Sequence, residues 1–220
     1  MDLRDLTGRA AGSLLAPLTG LWALLRRTRT FRPEGTVFNA AVEPLAEGGA
    51  LGRLARRLQG EAIVRLSSAW WRGGKEWPDV LGVAVRFAGD QDLLAATIRS
   101  PWTTLVAPLT TLTHDFLAND YYAVSPFEVE GLGRAKVRLR SLRHERHAPD
   151  PGDDDLDREQ KLAKAVDAGL AVFRLEARAL PRSSGMVNLV RSVIAGTALD
   201  GGGRWMPVAD IRLQTRLASA

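Results

Sequence analysis

The stretch Ala135 to Arg140, which reads AKVRLR, alternates apolar and basic residues at every position. Successive side chains of a β-strand point to opposite faces of the sheet, so this period of two predicts a strand with one buried and one solvated face. The same alternation recurs in Phe173 to Arg178 and in Ile211 to Leu217. One-sided alternation of this kind is typical of antiparallel sheets.

Further apolar runs, each bounded by Gly, Pro or charged turns, extend the strand pattern towards the N-terminus. They are Thr36 to Val42, Ala62 to Ser67, Leu81 to Phe87 and Asp92 to Ile98. With the runs above they make about seven or eight strands, the number that closes a small barrel. We therefore predict an α+β fold, mainly β, in which a closed antiparallel eight-stranded β-barrel carries helical insertions.

Helical patterns lie between the predicted strands. They occupy Leu51 to Leu58, Thr103 to Ala118, Asp157 to Ala168 and Met186 to Ala195. The stretch Ala148 to Asp155, rich in Pro, Gly and Asp, predicts a loop. We predict two parts for the chain: an N-terminal apolar helical arm over residues 1–28 and a single barrel domain over residues 29–220.

Composition limits the classes of function. Cysteine is absent, so a disulfide framework, a thiolate nucleophile and a Cys-ligated metal are excluded. Lys+Arg 30 and Asp+Glu 25 give a net charge of +5 in a mixed pattern without a nucleic-acid-binding motif. We therefore predict no nucleic-acid partner. A reducing cytoplasm fits this composition, and we predict a cytoplasmic protein; the sequence also allows a homo-oligomer.

An apolar segment near the N-terminus, Ala10 to Leu25, contains Pro17 and is short for a bilayer span. A cluster of arginines follows it, without the small-residue cleavage site of a secretory signal. One interpretation is an arm packed on the barrel. The other is an apolar segment that lies in a membrane surface, which predicts peripheral membrane contact through residues 10–27.

Six short motifs follow one another between residues 29 and 217. They are RTFRPEG at 29–35, VRLS at 64–67, DVLGVAVRF at 79–87, Asp92-Leu93 followed by Pro101, YYAVSPF at 121–127, and WMP at 205–207. This order resembles the core of the haem catalases, where R-x-x-H-x-x-G, V-R-F-S, D-x-x-G-x-A-x-[KR]-F, D-L, Y-Y-x-V-x-x-F and W-P segments occur in the same succession. The shared order of short motifs carries the resemblance.

The resemblance implies a cofactor site. Arg29 and Arg65 stand where the family has arginines near the haem propionates, and two guanidiniums suit two carboxylates through charge-assisted hydrogen bonds. Ser67 stands at the serine that orients the family's distal histidine. The resemblance thus implies haem or a similar apolar anionic ligand, with Arg29, Arg65 and Ser67 as its binding residues. From the residues alone, ordinary salt bridging remains the alternative for both arginines.

Three departures from the family argue against catalase turnover. Arg32 stands at the distal-histidine position, and a guanidinium has no lone pair with which to accept a proton; the catalytic residues are therefore unknown. The family's D-L-V-G-N-N segment corresponds to Asp92 to Thr97, which contains no amide. The family's axial tyrosinate follows the W-P strand on a helix, whereas this sequence ends at Ala220. The resemblance therefore implies that the usual axial tyrosine is absent.

These observations predict a divergent catalase-like barrel that binds haem or a similar ligand, with at most weak haem-dependent peroxidase or oxidoreductase chemistry. One alternative is a haem-free, non-enzymatic barrel that binds another ligand or a membrane surface. A phosphodiesterase-like hydrolase ranks last, because His114, His144 and His147 form no two-metal constellation with acidic residues. We predict no bound metal ion outside a cofactor.

Overall fold

A computed structural model describes residues 34–69, 77–89, 91–99, 107–123, 125–143, 156–180 and 203–217. Most of these residues belong to one antiparallel sheet. Its strands are β1 (Glu34–Pro44), β2 (Gly60–Ser68), β3 (Leu81–Phe87), β4 (Gln91–Ala96), β5 (Asp120–Ala123), β6 (Phe127–Val129), β7 (Gly133–Ser141), β8 (Val172–Ala179) and β9 (Met206–Arg216).

The sheet closes into a barrel. Its strand order is β5-β4-β3-β2-β1-β9-β8-β7-β6, and β5 also pairs with β7, where Tyr121 lies opposite Leu139. The β5–β7 pairing joins eight of the nine strands in a ring and leaves β6 as a hairpin extension of β7. Every pairing is antiparallel. The predicted closed, antiparallel, eight-stranded barrel is confirmed.

Apolar members of the alternating runs fill the barrel. In β7 the buried residues are Ala135, Val137 and Leu139, as the alternation predicted. Tyr121 enters the same core from β5, and its ring meets that of Phe173 edge to face, with centroids 5.9 Å apart. This interior is a packed core. Burial of each large apolar side chain contributes about 1.5–3 kcal/mol, and this stabilisation holds the strands in register.

Two helices of ten residues lie at the ends of strands. Helix α1 (Gly49–Leu58) packs on β1 and β9. The helix that we label α3 (Arg158–Asp167) follows the short helix α2 (Ala107–Thr110) along the chain. It begins with a capping box, in which Asp157 accepts hydrogen bonds from the backbone N–H groups of Glu159 and Gln160. The predicted helices at Leu51 to Leu58 and Asp157 to Ala168 are confirmed.

The helical pattern at Thr103 to Ala118 is wrong as a single helix. Its described part contains only α2 and a 3₁₀ turn at Phe116–Ala118. Two polar side chains interrupt it: Asp115 accepts the backbone N–H of Leu117, and the Asn119 amide donates to the carbonyls of Leu112 and Asp115 within the break. Such local side-chain bonds compete with helical ones.

Several predictions fall on residues outside the described ranges. These are the N-terminal arm at 1–28, the loop at 148–155 and the helix at 186–195. Within the described ranges, no helix is both long enough and apolar enough to cross a membrane.

Candidate functional site

Arg65 and Ser67 lie two residues apart on β2, so both project from the outer wall of the barrel. Their neighbours Val64 and Leu66 point inward and are fully buried in the core. Ser67 is only 2% exposed although it faces outward, whereas Arg65 is half-buried. The predicted cofactor-binding residues of β2 therefore share one face, which we call the outer wall of β1 to β4.

A row of small residues crosses this wall. The register pairs Gly35 with Ser67, Ser67 with Gly82, and Gly82 with Ala96. No side chain in this small-residue row is larger than that of serine, so the row is a nearly flat strip. Neighbouring strands lie about 4.8 Å apart, and the strip therefore spans roughly 14 Å from β1 to β4. Ser67 and Gly82 at its centre are buried, whereas Gly35 at its β1 end is exposed, so the strip is accessible to a ligand at the Gly35 end.

The Arg65 side chain extends beside the small-residue row and crosses Gly35. A Cβ built on Gly35 would lie 2.7 Å from Arg65 Nε and 2.8 Å from the carbonyl oxygen of Leu66. These separations are too short for real contacts, so any side chain at position 35 would displace the guanidinium. The glycine that closes the first motif thus allows Arg65 to lie flat on the strand.

The surroundings of Arg65 on this wall are apolar. Its cross-strand partners are Val37 on β1 and Ala84 on β3, and Leu94 follows Ala84 in the same register. Leu94 and Ile63 are 48% and 44% exposed. A guanidinium beside exposed apolar side chains is a surface that suits a ligand with an apolar body and a carboxylate.

A second arginine of the wall is already engaged by a carboxylate. Arg86 Nε and Nη2 each donate to one oxygen of Asp92 at 2.9 Å. These hydrogen bonds from Arg86 hold the pKa of Asp92 below its ordinary value. The pair is exposed and neutral as a whole, so the charge that Arg86 adds to the wall is largely cancelled.

The departure from the family at the distal amide falls on this same wall. Ala96 ends the small-residue row opposite Gly82, and its methyl group has no hydrogen bond to offer. Arg29 and Arg32 lie outside the described residues. The pairing of Arg29 with Arg65 and the placement of Arg32 therefore stay predictions.

Neither tyrosine of the sequence belongs to the small-residue row or to the neighbouring cross-strand rows that contain Arg65 and Arg86. Tyr121 is buried in the core, and its hydroxyl donates to the Phe116 carbonyl at 2.7 Å. Burial raises the pKa of Tyr121 well above its ordinary value, which keeps the phenol protonated. Tyr122 projects outward from β5, where its ring centroid lies 6.4 Å from that of Trp205.

The histidines give no metal site in the part of the chain that is described. His114 is exposed in the connection that follows α2, while His144 and His147 lie outside the described residues. Across the described ranges, no group of three or more His, Asp or Glu side chains is placed to hold a metal ion.

A charged cluster on the opposite wall was missed by the sequence reasoning. Arg138 on β7 forms ion pairs with Glu176 on β8 and Asp120 on β5. The Trp205 ring has the guanidiniums of Arg138 and Arg178 at 4.5 Å from its centroid. The alternation in β8 predicted a solvated polar face, yet Glu176 and Arg178 are buried. These residues meet because of the register between neighbouring strands, which cannot be read from the sequence.

Comparisons with known proteins identify the fold. Neither a family model nor a curated protein matches the sequence. A fungal catalase is similar in structure, with a TM-score of 0.53 and 12% identity over 89% of this chain and 52% of the catalase. Catalase A from Saccharomyces cerevisiae gives a TM-score of 0.55 and 12% identity, covering 91% of this chain and 55% of the catalase.

These likenesses confirm a catalase-like fold and nothing finer, because identity this low establishes architecture alone. The chain spans little more than half the length of each catalase. The outer wall must therefore be judged on its own residues.

Proposed function

We propose that this chain binds a flat, apolar, acidic molecule of the haem type against the outer wall of β1 to β4. The observation that carries the proposal is the Arg65 guanidinium lying across Gly35 beside the small-residue row. A planar ring would lie at the exposed Gly35 end of the strip, beside Val37 and Ala84. One of its carboxylates would accept hydrogen bonds from Arg65, and the exposed Leu94 would cover part of the ring.

Haem fits this surface through its ring and its propionates but not through its iron. Three cross-strand rows make up this wall, and they consist of Gly35, Ser67, Gly82 and Ala96; of Val37, Arg65, Ala84 and Leu94; and of Asn39, Ile63, Arg86 and Asp92. Among these described residues no imidazole, phenolate or thiolate faces outward, and the carboxylate of Asp92 is held by Arg86. Haem bound here would supply redox chemistry towards peroxides. The chain's own described residues would bind and orient it.

Catalase turnover is not part of the proposal. Cleavage of peroxide in that manner needs a neutral base that takes a proton from one oxygen and returns it to the other. The Ser67 hydroxyl is a poor base, and the Ala96 side chain has no polar atom. A peroxidase assay of the haem-loaded chain tests for weak peroxidase chemistry directly.

The binding experiment compares haemin with metal-free protoporphyrin IX by absorbance and fluorescence titration. Because Arg65 and the flat strip recognise carboxylates and ring, we expect both ligands to bind with similar affinity. Arg65→Gln removes a charge-assisted hydrogen bond worth about 1.5–3 kcal/mol, so both affinities should fall roughly tenfold or more. Arg65→Lys keeps the charge and should retain part of the binding.

Arg134→Gln is the matched control, because Arg134 is exposed on β7 at the far side of the barrel. This variant should bind both ligands as the unaltered chain does. Equal binding by Arg65→Gln would refute the site. Binding of haemin without any binding of protoporphyrin IX would show that an iron ligand, rather than the outer wall, holds the molecule.

A further inference from the structure

A cavity of about 370 Å³ opens at the end of the barrel beside α1. Its floor is formed by Phe87, Leu93, Val137 and Leu175, all of which belong to the hydrophobic core. Further apolar side chains form its sides, from α1 and from the β6 hairpin. The cavity is therefore an apolar recess that continues into the barrel interior.

This cavity is separate from the outer wall of β1 to β4. Phe87 and Leu93 point into the barrel, whereas their neighbours Arg86 and Leu94 point outward. The sheet itself lies between the two surfaces. A ligand in the cavity would not contact Arg65, which faces outward from β2.

Two arginines of α1 line the mouth of this recess. Arg53 and Arg57 are four residues apart, so they lie one helical turn apart on the same face. With its amide oriented to accept, the Gln91 side-chain oxygen receives hydrogen bonds from Arg57 Nη2 at 2.9 Å and Nε at 3.0 Å. This contact fixes the Arg57 guanidinium over the β3–β4 hairpin.

The Arg53 side chain packs closely against Gly131. Its Nη2 lies 2.5 Å from the place where a Cβ on Gly131 would stand, and Gly131 has a φ of +77°. The turn after β6 thus leaves space that only a glycine provides. No hydrogen bond or ion pair to Arg53 occurs within the described parts of the chain. Its donors are available to a ligand.

Three carboxylates also line the rim of the cavity, those of Asp92, Glu128 and Glu130. Asp92 is already engaged by Arg86. Glu128 and Glu130 are exposed on the β6 hairpin, where water solvates them without cost. Arg53 and Arg57 are exposed as well, but Arg57 is fixed by Gln91 and Arg53 packs closely against Gly131. The mouth is therefore better arranged for an anion than for a cation.

We infer that the cavity binds a single-chain amphiphile with a carboxylate head, of the fatty-acid class. Its chain fills the apolar floor, and its carboxylate accepts hydrogen bonds from Arg53 and Arg57. The recess is suited to one acyl chain by its volume of about 370 Å³, which is near the lower end of ligand pockets. This inference does not depend on the proposed function, because the only residue that the two surfaces share is Asp92, whose carboxylate is engaged by Arg86.

Titration calorimetry of the full chain with dodecanoate, dodecylamine and dodecanol tests the head group at constant chain length. We expect saturable binding of dodecanoate and at least tenfold weaker binding of the other two. Replacing both Arg53 and Arg57 by Gln removes two charge-assisted contacts and should weaken dodecanoate binding about tenfold or more. Arg56→Gln is the matched control, because its guanidinium lies outside the cavity and donates to the Glu47 carbonyl at 3.0 Å.

A second variant tests the recess without changing its charge. Ala50 lines the cavity on α1 and is half-buried, so Ala50→Trp should fill the mouth and abolish dodecanoate binding while the thermal midpoint stays unchanged. Arg65→Gln should leave dodecanoate binding intact, which separates this site from the outer wall. Equal binding of dodecylamine, or unaltered binding by the Arg53 and Arg57 double variant, would overturn the inference. So would the absence of saturable dodecanoate binding.

Discussion

Replacing Gly35 by Ala tests the packing on which the outer wall depends. The added methyl group would lie 2.7 Å from Arg65 Nε and 2.8 Å from the Leu66 carbonyl oxygen. The guanidinium can rotate away, but the carbonyl oxygen belongs to β2 and moves only with the strand. Overpacking of this kind typically costs about 1–3 kcal/mol. For a chain of this length, roughly 2–4 °C of thermal midpoint is lost for each kcal/mol.

A double-mutant cycle separates the free-energy cost of the contact with the Arg65 guanidinium from that of the contact with the Leu66 carbonyl. Arg65→Ala removes the guanidinium contact and leaves the carbonyl contact, so Gly35→Ala should cost less in the Arg65→Ala background. We expect a coupling free energy of about 0.5–3 kcal/mol, the range for residues in direct contact. Urea unfolding followed by tryptophan fluorescence gives each corner of the cycle.

Ligand binding provides an independent readout of the same substitution. Gly35→Ala displaces Arg65 and raises the floor of the small-residue row, so protoporphyrin IX should bind about as weakly as it does to Arg65→Gln. Gly89→Ala is the control, because a Cβ at Gly89 would meet nothing within 4 Å. A Gly35→Ala chain as stable as the unaltered one, with unchanged protoporphyrin affinity, would refute the packing that we describe.

Three further substitutions test other parts of the structure. Tyr121→Phe leaves the buried Phe116 carbonyl without its 2.7 Å donor and should destabilise the chain by about 1–3 kcal/mol in urea unfolding. Asp157→Ala removes the capping box of α3 and should cost about 0.5–2 kcal/mol by the same measurement. Arg86 lowers the pKa of Asp92 from 3.8, so the pair stabilises the fold above that pH, and its contribution disappears as the pH falls through the lower folded-state pKa. Arg86→Gln should return the pKa of Asp92 towards 3.8 in an NMR titration.

The longer strands were predictable because apolar and polar residues alternate in their sequence, and the structure buries the apolar ones. In β7, Val137 and Leu139 face the core while Arg138 and Arg140 face outward, as their order in the sequence predicts. The strand that closes the ring, β5, has only four residues. A period of two cannot be recognised over so short a run, and the aromatic pair within it gives no alternation. Closure was therefore inferred from the number of strands and from the resemblance.

The candidate sites were less predictable than the fold. Ser67 and Arg65 could be placed on one face from their spacing alone, but the small-residue row depends on register across four strands. Nothing in the local sequence pairs Gly82 with Ser67 or Ala96. The cavity beside α1 has the same origin, because Arg57 and Gln91 lie far apart in the sequence and meet only in the closed barrel.

The period of two that builds this barrel also separates its two proposed sites. In β3 and β4, inward residues such as Phe87 and Leu93 line the cavity, while the outward Arg86 and Leu94 belong to the wall. Except at Asp92, which also lines the rim of the cavity, a substitution at an outward position can therefore alter one site without touching the other. The wall and the recess should respond independently to mutation, and simultaneous loss of porphyrin and dodecanoate binding in Arg65→Gln would show that they are one site.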